Sequence, residues 1–421
     1  MLISRAKFKA NPERHMASLT LNRLTFGLTL AGMAGLTQAA GFALVEQNAS
    51  GLGNAYAGQA ASAQDASTIF FNPAGLTMLP DRQVVMAGHL IKPQAEFTGS
   101  STQGGGDGGD AGGLAIVPNA YIAYRLTPDV HVGVGMNAPF GLKTEYDSTW
   151  AGRTQAIKSE LKIINLNPTL AWKASETLSL GGGLSIQYAE AILSNSANGA
   201  GVATVKGDDF GWGFNVGLLW QPAAATRIGL TYRSEVDYTL KGDVEFSVAT
   251  SANGAVTAAT TLPDSASLSL FQKLSSKWDL LADVTWTGWS DFKELRIVRN
   301  GGALLVATPE NWSDSYRYSV GANYRMDDKV TLRGGVAYDE TPVSDAFRTA
   351  RIPDESRTWL AFGAQYRLSS KSTLDFGYAH LFVKDARINK TEPALGIADV
   401  TLTGTYKASV DILSAQLAYS F

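Results

Sequence analysis

Apolar and polar residues alternate along most of the chain after about residue 82. In the C-terminal stretch, Leu413, Leu417 and Tyr419 fall on one parity, and Ser414 and Gln416 fall on the other. Because successive side chains of a β-strand point to opposite faces, such a stretch predicts a strand with one apolar and one polar face. Fourteen stretches of this kind begin near Gln83, Val117, Asp129, Ile157, Thr177, Asp209, Ala225, Ser265, Lys277, Asp314, Lys329, Arg357, Ser372 and Lys407.

The connections between these stretches alternate between tight turns and long loops. The predicted long loops cover residues 98–116, 138–156, 194–208, 247–264, 288–313, 339–356 and 384–406. Water-soluble sandwiches also alternate apolar and polar residues, but this short-long rhythm over an even number of strands is typical of outer-membrane barrels. Such a barrel is closed, because lipid offers no hydrogen-bond partner to a strand edge. The sequence predicts an all-β fold, a fourteen-stranded antiparallel transmembrane β-barrel over residues 83–421.

Residues 40–82 do not alternate. They are rich in Ala and Gly, and short helices are predicted around Ala49–Ala57 and after Asp65, with a turn at Asn72-Pro73. Their apolar side chains, such as Phe70 and Phe71, do not suit a solvated periplasmic tail. The segment is therefore predicted to plug the barrel as a small N-terminal helical hatch.

Residues 1–39 have the organisation of a secretory signal peptide. Basic residues precede a short apolar stretch and then small residues, which predicts cleavage near Ala39 or Ala40. The alternative is a membrane anchor, but the apolar run is shorter than the roughly 20 residues that a spanning helix needs. Either Met1 or Met16 is the start of translation.

The composition excludes several kinds of site. The chain has no cysteine, and its net charge of −3 gives no basic excess for nucleic acid. The four histidines show no metal-ligand spacing, and there is no GxSxG motif. A single GGDGGD stretch at residues 105–110 lacks the repeats of a calcium site. We expect no enzymatic activity, metal or cofactor.

The N-terminal segment carries a specific resemblance. The motifs are Gly41-Phe42, Glu46-Gln47, Ser50-Gly51-Leu52-Gly53-Asn54-Ala55-Tyr56-Ala57-Gly58, Asp65-Ala66 and Asn72-Pro73-Ala74, followed by Tyr232 to Val236, Trp289-Ser290-Asp291-Phe292, Tyr338 to Val343 and Ile352-Pro353-Asp354 with Arg357. Together they resemble the FadL family of outer-membrane transporters of long-chain fatty acids and hydrocarbons, over essentially the whole mature chain.

The resemblance implies a hatch, an internal apolar pocket and a sideways exit at a kink in the third strand. It assigns ligand binding and hatch roles to Phe42, Leu44, Glu46, Phe70, Phe71, Asn72, Pro73 and Ala74, and the kink to Asn137, Ala138, Pro139, Phe140 and Gly141. Pro139 has no N–H for the strand ladder, which agrees with a kink. From the residues alone, the strand could equally end at Pro139.

The sequence departs from the fatty-acid members in one respect. The stretches that align with their basic head-group residues, 188–198 and 303–312, contain no Lys or Arg. A neutral aromatic hydrocarbon is therefore an alternative substrate. Arg227, Arg233 and Arg333 face inward, and we expect them to pair with Asp279, Asp283 and Asp375 or with the hatch.

These predictions place the protein in the outer membrane of a Gram-negative bacterium. Its expected partners are a hydrophobic small molecule, membrane lipid and lipopolysaccharide, and the barrel-assembly machinery through the terminal Phe421; we expect a monomer that binds no nucleic acid. A general aqueous porin is the alternative from another class, and the apolar hatch argues against it.

Overall fold

The computed structural model describes residues 41–394 and 397–421. The predicted signal peptide, residues 1–39, and the start of the predicted hatch at Ala40 lie outside this part of the chain. In the described ranges, no helix has the length and apolar character to cross a membrane.

Fourteen antiparallel strands form a closed barrel, as the alternation predicts. They are β1 (Arg82–Ser101), β2 (Ala115–Arg125), β3 (Val130–Asn137 and Gly141–Glu145), β4 (Lys158–Lys173), β5 (Leu178–Ser196), β6 (Val202–Ala223), β7 (Thr226–Arg233 and Val236–Phe246), β8 (Gly254–Leu262 and Ser265–Lys273), β9 (Trp278–Thr287 and Glu294–Arg299), β10 (Leu304–Pro309 and Ser315–Arg325), β11 (Val330–Asp339), β12 (Arg357–Arg367), β13 (Ser372–Val383 and Ala386–Glu392) and β14 (Val400–Ser420). Each strand pairs with its neighbours in the chain, and β14 closes the barrel on β1 from Ser420↔Gln83 to Leu402↔Ser101.

The long connections are shorter than predicted. β6, β8, β10 and β14 begin at Val202, Gly254, Leu304 and Val400, well before the predicted starts at Asp209, Ser265, Asp314 and Lys407. Much of the predicted loops 194–208, 247–264, 288–313 and 384–406 is therefore strand. These extensions project beyond the lipid, where the outer face need not be apolar, so the alternation that identifies a strand is weaker there.

A hydrophobic belt surrounds the barrel. On β10, the outward side chains Tyr316, Tyr318 and Val320 are 42%, 43% and 51% exposed. At the end with the tight turns, exposed aromatic residues ring the barrel: Tyr124, Trp172, Trp220, Trp278, Tyr366 and Tyr419. This arrangement matches the lipid-facing band and interfacial girdle of outer-membrane barrels. Tyr121, three residues before Tyr124 on β2, is not part of this ring: it is buried at 2% exposure and points inward.

The N-terminal segment, residues 41–81, contains four short helices and almost no exposed side chain. They are α1 (Ala49–Leu52), α2 (Gln59–Ser62), α3 (Thr68–Phe71) and a 3₁₀ helix (Pro73–Met78); further 3₁₀ turns lie at Asn198–Ala200, Thr250–Ala252 and Trp289–Asp291. The predicted helix Ala49–Ala57 stops after one turn, because Ala55 and Tyr56 adopt left-handed backbone angles (φ 50° and 56°).

Inward-facing glycines let this segment lie directly on the strands. α1 contacts β12, β13 and β14, α2 contacts β7 and β8, and the 3₁₀ helix contacts β4, β5 and β6. A Cβ on Gly363 would lie 2.8 Å from the Cα of Gly53, and one on Gly181 would overlap the backbone of Ala74. Backbone against backbone in this way leaves no room for a side chain on the strand.

Candidate functional site

The third strand has a one-residue irregularity at Pro139. Its first segment pairs with β4 up to Asn137↔Asn165, and its second resumes at Gly141↔Lys162. Three residues of β3, Ala138 to Phe140, thus lie opposite two residues of β4. We call these three residues the kink. The missing N–H of proline explains why the ladder breaks at this point.

The kink opens a gap between β2 and β3. The pairing of β2 with β3 extends from Arg125↔His131 to Ala120↔Met136. Beyond it, residues 115–119 of β2 pair with β1, and the second segment of β3 pairs with β4. In the described part of the chain no strand pairing joins these two edges. The wall of the barrel is therefore interrupted here.

The N-terminal segment hydrogen-bonds to the inner side of the kink. The N–H of Leu44 donates to the carbonyl of Pro139, and the N–H of Gly141 donates to the carbonyl of Phe42, both at 2.8 Å. Ala43 forms an antiparallel bridge with Phe140 between them. Residues 42–44 thus act as a short extra strand on the part of β3 that has lost β2.

Gln47 spans the gap with a single side chain. Its Nε2 donates to the carbonyl of Ala138 at 2.8 Å, and its Oε1 accepts from Nδ2 of Asn119 on β2, also at 2.8 Å. The Tyr121 hydroxyl donates to the Gln47 carbonyl at 2.9 Å. Sequence reasoning assigned no role to Gln47, although it lies within the Glu46-Gln47 motif.

An aromatic cluster surrounds Phe42. Its ring centroid lies 4.7 Å from that of Trp289, 5.6 Å from Trp312, 5.8 Å from Phe292 and 6.1 Å from Phe140. The breaks in β9 and β10 turn these tryptophans into the barrel. The motif Trp289 to Phe292 marked the family resemblance, but nothing in the spacing of the residues showed that it meets Phe42.

Two cavities lie on either side of this cluster. The outer cavity has mostly apolar walls that include Phe42, Ile163, Leu240 and Ile297. The inner cavity is lined in part by Leu44, Phe70, Phe71, Pro139 and Phe140. Arg233, Asp283, Arg317 and Asp339 also line the inner cavity, which makes it the more polar of the two.

The prediction that the inward arginines pair with inward aspartates or with the hatch is right for two of them, Arg333 and Arg233. Arg333 forms a buried ion pair with Asp375 and also donates to Gln64 of the N-terminal segment at 3.1 Å. Arg233 pairs with no aspartate, but it donates to Ser185 at 2.8 Å and to the carbonyl of Phe70, in the N-terminal segment, at 3.0 Å.

The other expected pairs do not form. Arg227 stacks 4.2 Å from the ring centroid of Phe271. Asp279 pairs with Arg325 at 2.5 Å, and Asp283 is held by Ser269 and Thr285. Parity indicated the inward direction of these side chains but not which residues lie opposite them.

Glu46 is a buried carboxyl beside the kink. It is 2% exposed, and its Oε2 has no hydrogen-bond partner among the described residues. Burial raises the pKa of Glu46 to about 7, although the charges of Arg317 and Arg357 oppose this. A carboxyl in such a site is partly protonated near neutral pH.

The start of the segment is held by an external loop. The N–H of Gly41 donates to Oδ2 of Asp354 at 3.0 Å, and Asp354 forms an ion pair with Arg357. The Thr341 hydroxyl donates to the same carboxylate at 2.6 Å. The loop between β11 and β12 therefore fixes the residue next to Phe42.

A family model described as outer membrane protein transport protein (OMPP1/FadL/TodX) matches residues 30–421. The chain belongs to the FadL/TodX family. It is therefore an outer-membrane protein of a Gram-negative bacterium, and the family consists of transporters and channels.

The sequences of related outer-membrane proteins align with most of the chain. Outer membrane protein P1 of Haemophilus influenzae is 32% identical over 448 residues, which is 92% of this chain and 96% of that protein. The long-chain fatty acid transport protein of Escherichia coli K12 is 30% identical over 400 residues, covering 83% of this chain and 90% of its own length.

Solved structures of the FadL/TodX family share the fold. A Pseudomonas aeruginosa FadL homologue superimposes with a TM-score of 0.86 at 25% identity, covering 91% of this chain and 100% of that chain. The Pseudomonas putida toluene transporter TodX gives a TM-score of 0.67 at 17% identity, over 91% of this chain and 100% of its own.

The site residues predicted from the FadL resemblance fall into three groups. Phe42 lines the outer cavity, and Leu44, Phe70, Phe71, Pro139 and Phe140 line the inner one. Ala138 belongs to the kink, Asn137 and Gly141 flank it, and none of these three residues or Glu46 lines either cavity. Contact of any of these residues with a ligand stays a prediction.

Asn72, Pro73 and Ala74 form the third group and line neither cavity. Nδ2 of Asn72 donates to the carbonyl of Leu218 on β6 at 3.0 Å, and its Oδ1 accepts from the Ala74 N–H at 3.0 Å. In this member of the FadL/TodX family the motif attaches the N-terminal segment to the wall. Within the described residues, no group of His, Asp and Glu side chains is arranged to hold a metal.

Proposed function

We propose that this protein carries long-chain fatty acids or other hydrophobic molecules across the outer membrane by diffusion, and releases them sideways through the gap beside the kink. The observation that carries the proposal is the hydrogen bonding of residues 42–44 and Gln47 to the kink. The same segment thus contacts both cavities and the gap. A ligand that moves this segment therefore alters the shape of both cavities and of the gap at the same time.

The path begins in the outer cavity. An apolar molecule that has passed the polar lipopolysaccharide layer gains about 0.8 kcal/mol for each CH₂ that it buries there. A long chain held only by such burial would not leave, so transport requires a movement that weakens the binding. A shift of Phe42 to Glu46 opens the aromatic cluster toward the inner cavity and Pro139.

In this proposal residues 40–82 form the hatch, residues 83–421 form the barrel, and residues 1–39 are the signal peptide removed on export. The hatch closes the lumen to water, which argues against a general porin. Its apolar contacts with the wall and its buried polar network, including Asp65 with Ser50 and Gln416, support this role. Lipopolysaccharide, assembly through Phe421 and the monomeric state stay predictions.

The lateral exit is tested by removing one residue. Deletion of Pro139 leaves two residues of β3 opposite Ile163 and Ile164, which restores a continuous register from Asn137↔Asn165 to Gly141↔Lys162. We expect this variant to bind oleate but to lose at least nine-tenths of oleate uptake by cells. The control Pro139→Ala keeps the extra residue and is expected to retain most uptake. Normal uptake by the deletion variant would rule out exit at the kink.

A further inference from the structure

The outer cavity has mostly apolar walls, but the guanidinium group of Arg351 lies in it. Arg351 enters it from the loop between β11 and β12, where Ile352 also lines the cavity. Its Nη1 donates to the Lys158 carbonyl at 3.3 Å, to Ser159 Oγ at 3.2 Å and to the Ser194 carbonyl at 3.4 Å. Nη2 donates to Asn195 Oδ1 at 3.4 Å. All four acceptors are neutral, and the bonds are longer than the roughly 2.7–2.9 Å of charge-assisted ones.

Two other arginines of the same region have guanidinium groups that are paired with carboxylates. Arg348 pairs with Asp345 and, at 2.9 Å, with Glu355. Arg357 pairs with Asp354 and, at 3.7 Å, with Asp339. For Arg351, by contrast, no carboxylate of residues 41–394 or 397–421 lies within ion-pair distance. Arg351 is partly buried, and the charges of Glu392 and Glu310 act on it only from beyond that distance. An arginine cannot escape the cost of desolvation by losing its proton, so this charge lacks the direct carboxylate partner that would offset that cost.

The acidic side chains of the cavity do not supply that partner. Glu160 is bound at 2.7 Å by both Lys158 and Lys162. Glu310 accepts from the indole N–H of Trp312 at 3.0 Å, and burial raises the pKa of Glu310 to about 8, so it is mostly uncharged at neutral pH. The other cation of the lining, Lys206, is half-exposed and faces Glu190 at 3.4 Å.

We propose that Arg351 is the head-group receptor of the outer cavity, and that the cavity takes long-chain monocarboxylates in preference to neutral hydrocarbons. The inference rests on the proposed transport function and names its substrate class. A carboxylate accepts two hydrogen bonds from one guanidinium and neutralises its charge, while the alkyl chain lies along the apolar wall toward Phe42. A neutral hydrocarbon would leave the guanidinium unpaired. The stretches 188–198 and 303–312 lack basic residues, but this loop places one in the same lumen.

The test compares two probes that differ only in the head group. Binding of radiolabelled oleate and oleyl alcohol is measured by equilibrium dialysis on the full-length protein in lipid nanodiscs, with empty nanodiscs subtracted. We expect wild type to prefer oleate at least tenfold. Arg351→Met should weaken oleate binding at least tenfold and change oleyl alcohol binding less than twofold, while Arg351→Lys should retain part of the preference.

Arg153→Met is the matched control. Arg153 also lies in an external loop and donates only to backbone carbonyls, of Gly104 at 2.9 Å and Trp150 at 3.0 Å, and it lines neither cavity. We expect it to bind both probes as wild type does. Binding of oleyl alcohol by Arg351→Met shows at the same time that this variant is folded.

The possible outcomes separate the two proposals. If Arg351→Met binds oleate as wild type does, or loses both probes by the same factor, Arg351 is not a head-group receptor. If wild type binds both probes equally and still transports, the carboxylate preference is wrong and the proposed function stands. If wild type neither binds nor transports either probe, the proposed function fails, and this inference fails with it.

Discussion

Two adjacent glycines on β11 have opposite surroundings. A Cβ on Gly335 would overlap the backbone of Asn54 in the N-terminal segment, whereas a Cβ on Gly334 would meet no atom within 4 Å. The side chain of one position points into the lumen and that of the other points to lipid, as the period of two requires. Comparing alanine at these two positions therefore separates the effect of close contact between the N-terminal segment and the wall from the other effects of adding a methyl group.

We expect Gly335→Ala to loosen the segment and Gly334→Ala to leave it unchanged. Overpacking of this kind costs about 1–3 kcal/mol. Here the cost destabilises the packing of residues 51–57 against the wall and not the barrel itself. Hydrogen exchange read by mass spectrometry should show at least about tenfold faster exchange of those amides in Gly335→Ala. Equal exchange in the two variants would mean that close backbone contact does not hold the segment in place.

At the scale of elements, the kink and the first residues of the N-terminal segment form one hydrogen-bonded unit. Ala43 and Phe140 are directly opposite, and the flanking hydrogen bonds of Leu44 and Gly141 make them a non-hydrogen-bonded pair. The Cα atoms of such pairs are about 4.5 Å apart, within the range that a disulfide accepts. Because the chain has no cysteine of its own, a disulfide can be introduced without a competing thiol.

A disulfide between Ala43→Cys and Phe140→Cys should therefore lock the segment to the kink. We expect the oxidised double variant to lose oleate uptake and to recover it after reduction, because the movement of residues 42–46 becomes possible again. Each single-cysteine variant serves as the control and should respond to neither oxidant nor reductant. Uptake that persists in the oxidised double variant would show that substrate passes without separation of these two elements.

At the scale of the whole molecule, a closed barrel surrounds a lumen filled by its own N-terminal segment. The hydrophobic belt fixes the barrel in lipid, and the strand extensions beyond it carry much of the wall of the outer cavity. The breaks in β3, β9 and β10 all bring side chains to Phe42. The irregular parts of an otherwise regular cylinder thus form the site.

This arrangement predicts a barrel that conducts only when the segment is removed. In planar bilayers we expect the full chain to be nearly silent and a variant lacking residues 41–80 to pass a large, steady ionic current, because the deleted helices are the elements that pack against the inner faces of the strands. A heat-modifiability assay on gels verifies that the shortened barrel is folded. A large steady current through the full chain would instead identify an aqueous porin.

The sequence by itself determined the regular part of this protein. Alternation such as that from Leu413 to Tyr419 depends only on the period of a strand, so the number of strands, their direction and the faces they bury are readable locally. The apolar side chains of residues 41–81 likewise indicated a buried segment. Pro139 indicated a place where the hydrogen-bond ladder of the third strand is weak. The starts of β6, β8, β10 and β14 were not predicted correctly, because the alternation of apolar and polar residues is weaker outside the lipid.

Only the tertiary structure decided which residues meet. Gln47 reaches across 72 residues of chain to Asn119, and Gly41 across 313 residues to Asp354. Phe42 joins Trp289 and Trp312, and Arg351 lies among neutral acceptors while Arg348, three residues earlier, is paired with acids. No local pattern encodes such contacts, because the closing of the barrel brings together residues whose separation along the chain has no fixed period. Whether a buried charge has a partner is a property of that three-dimensional neighbourhood alone.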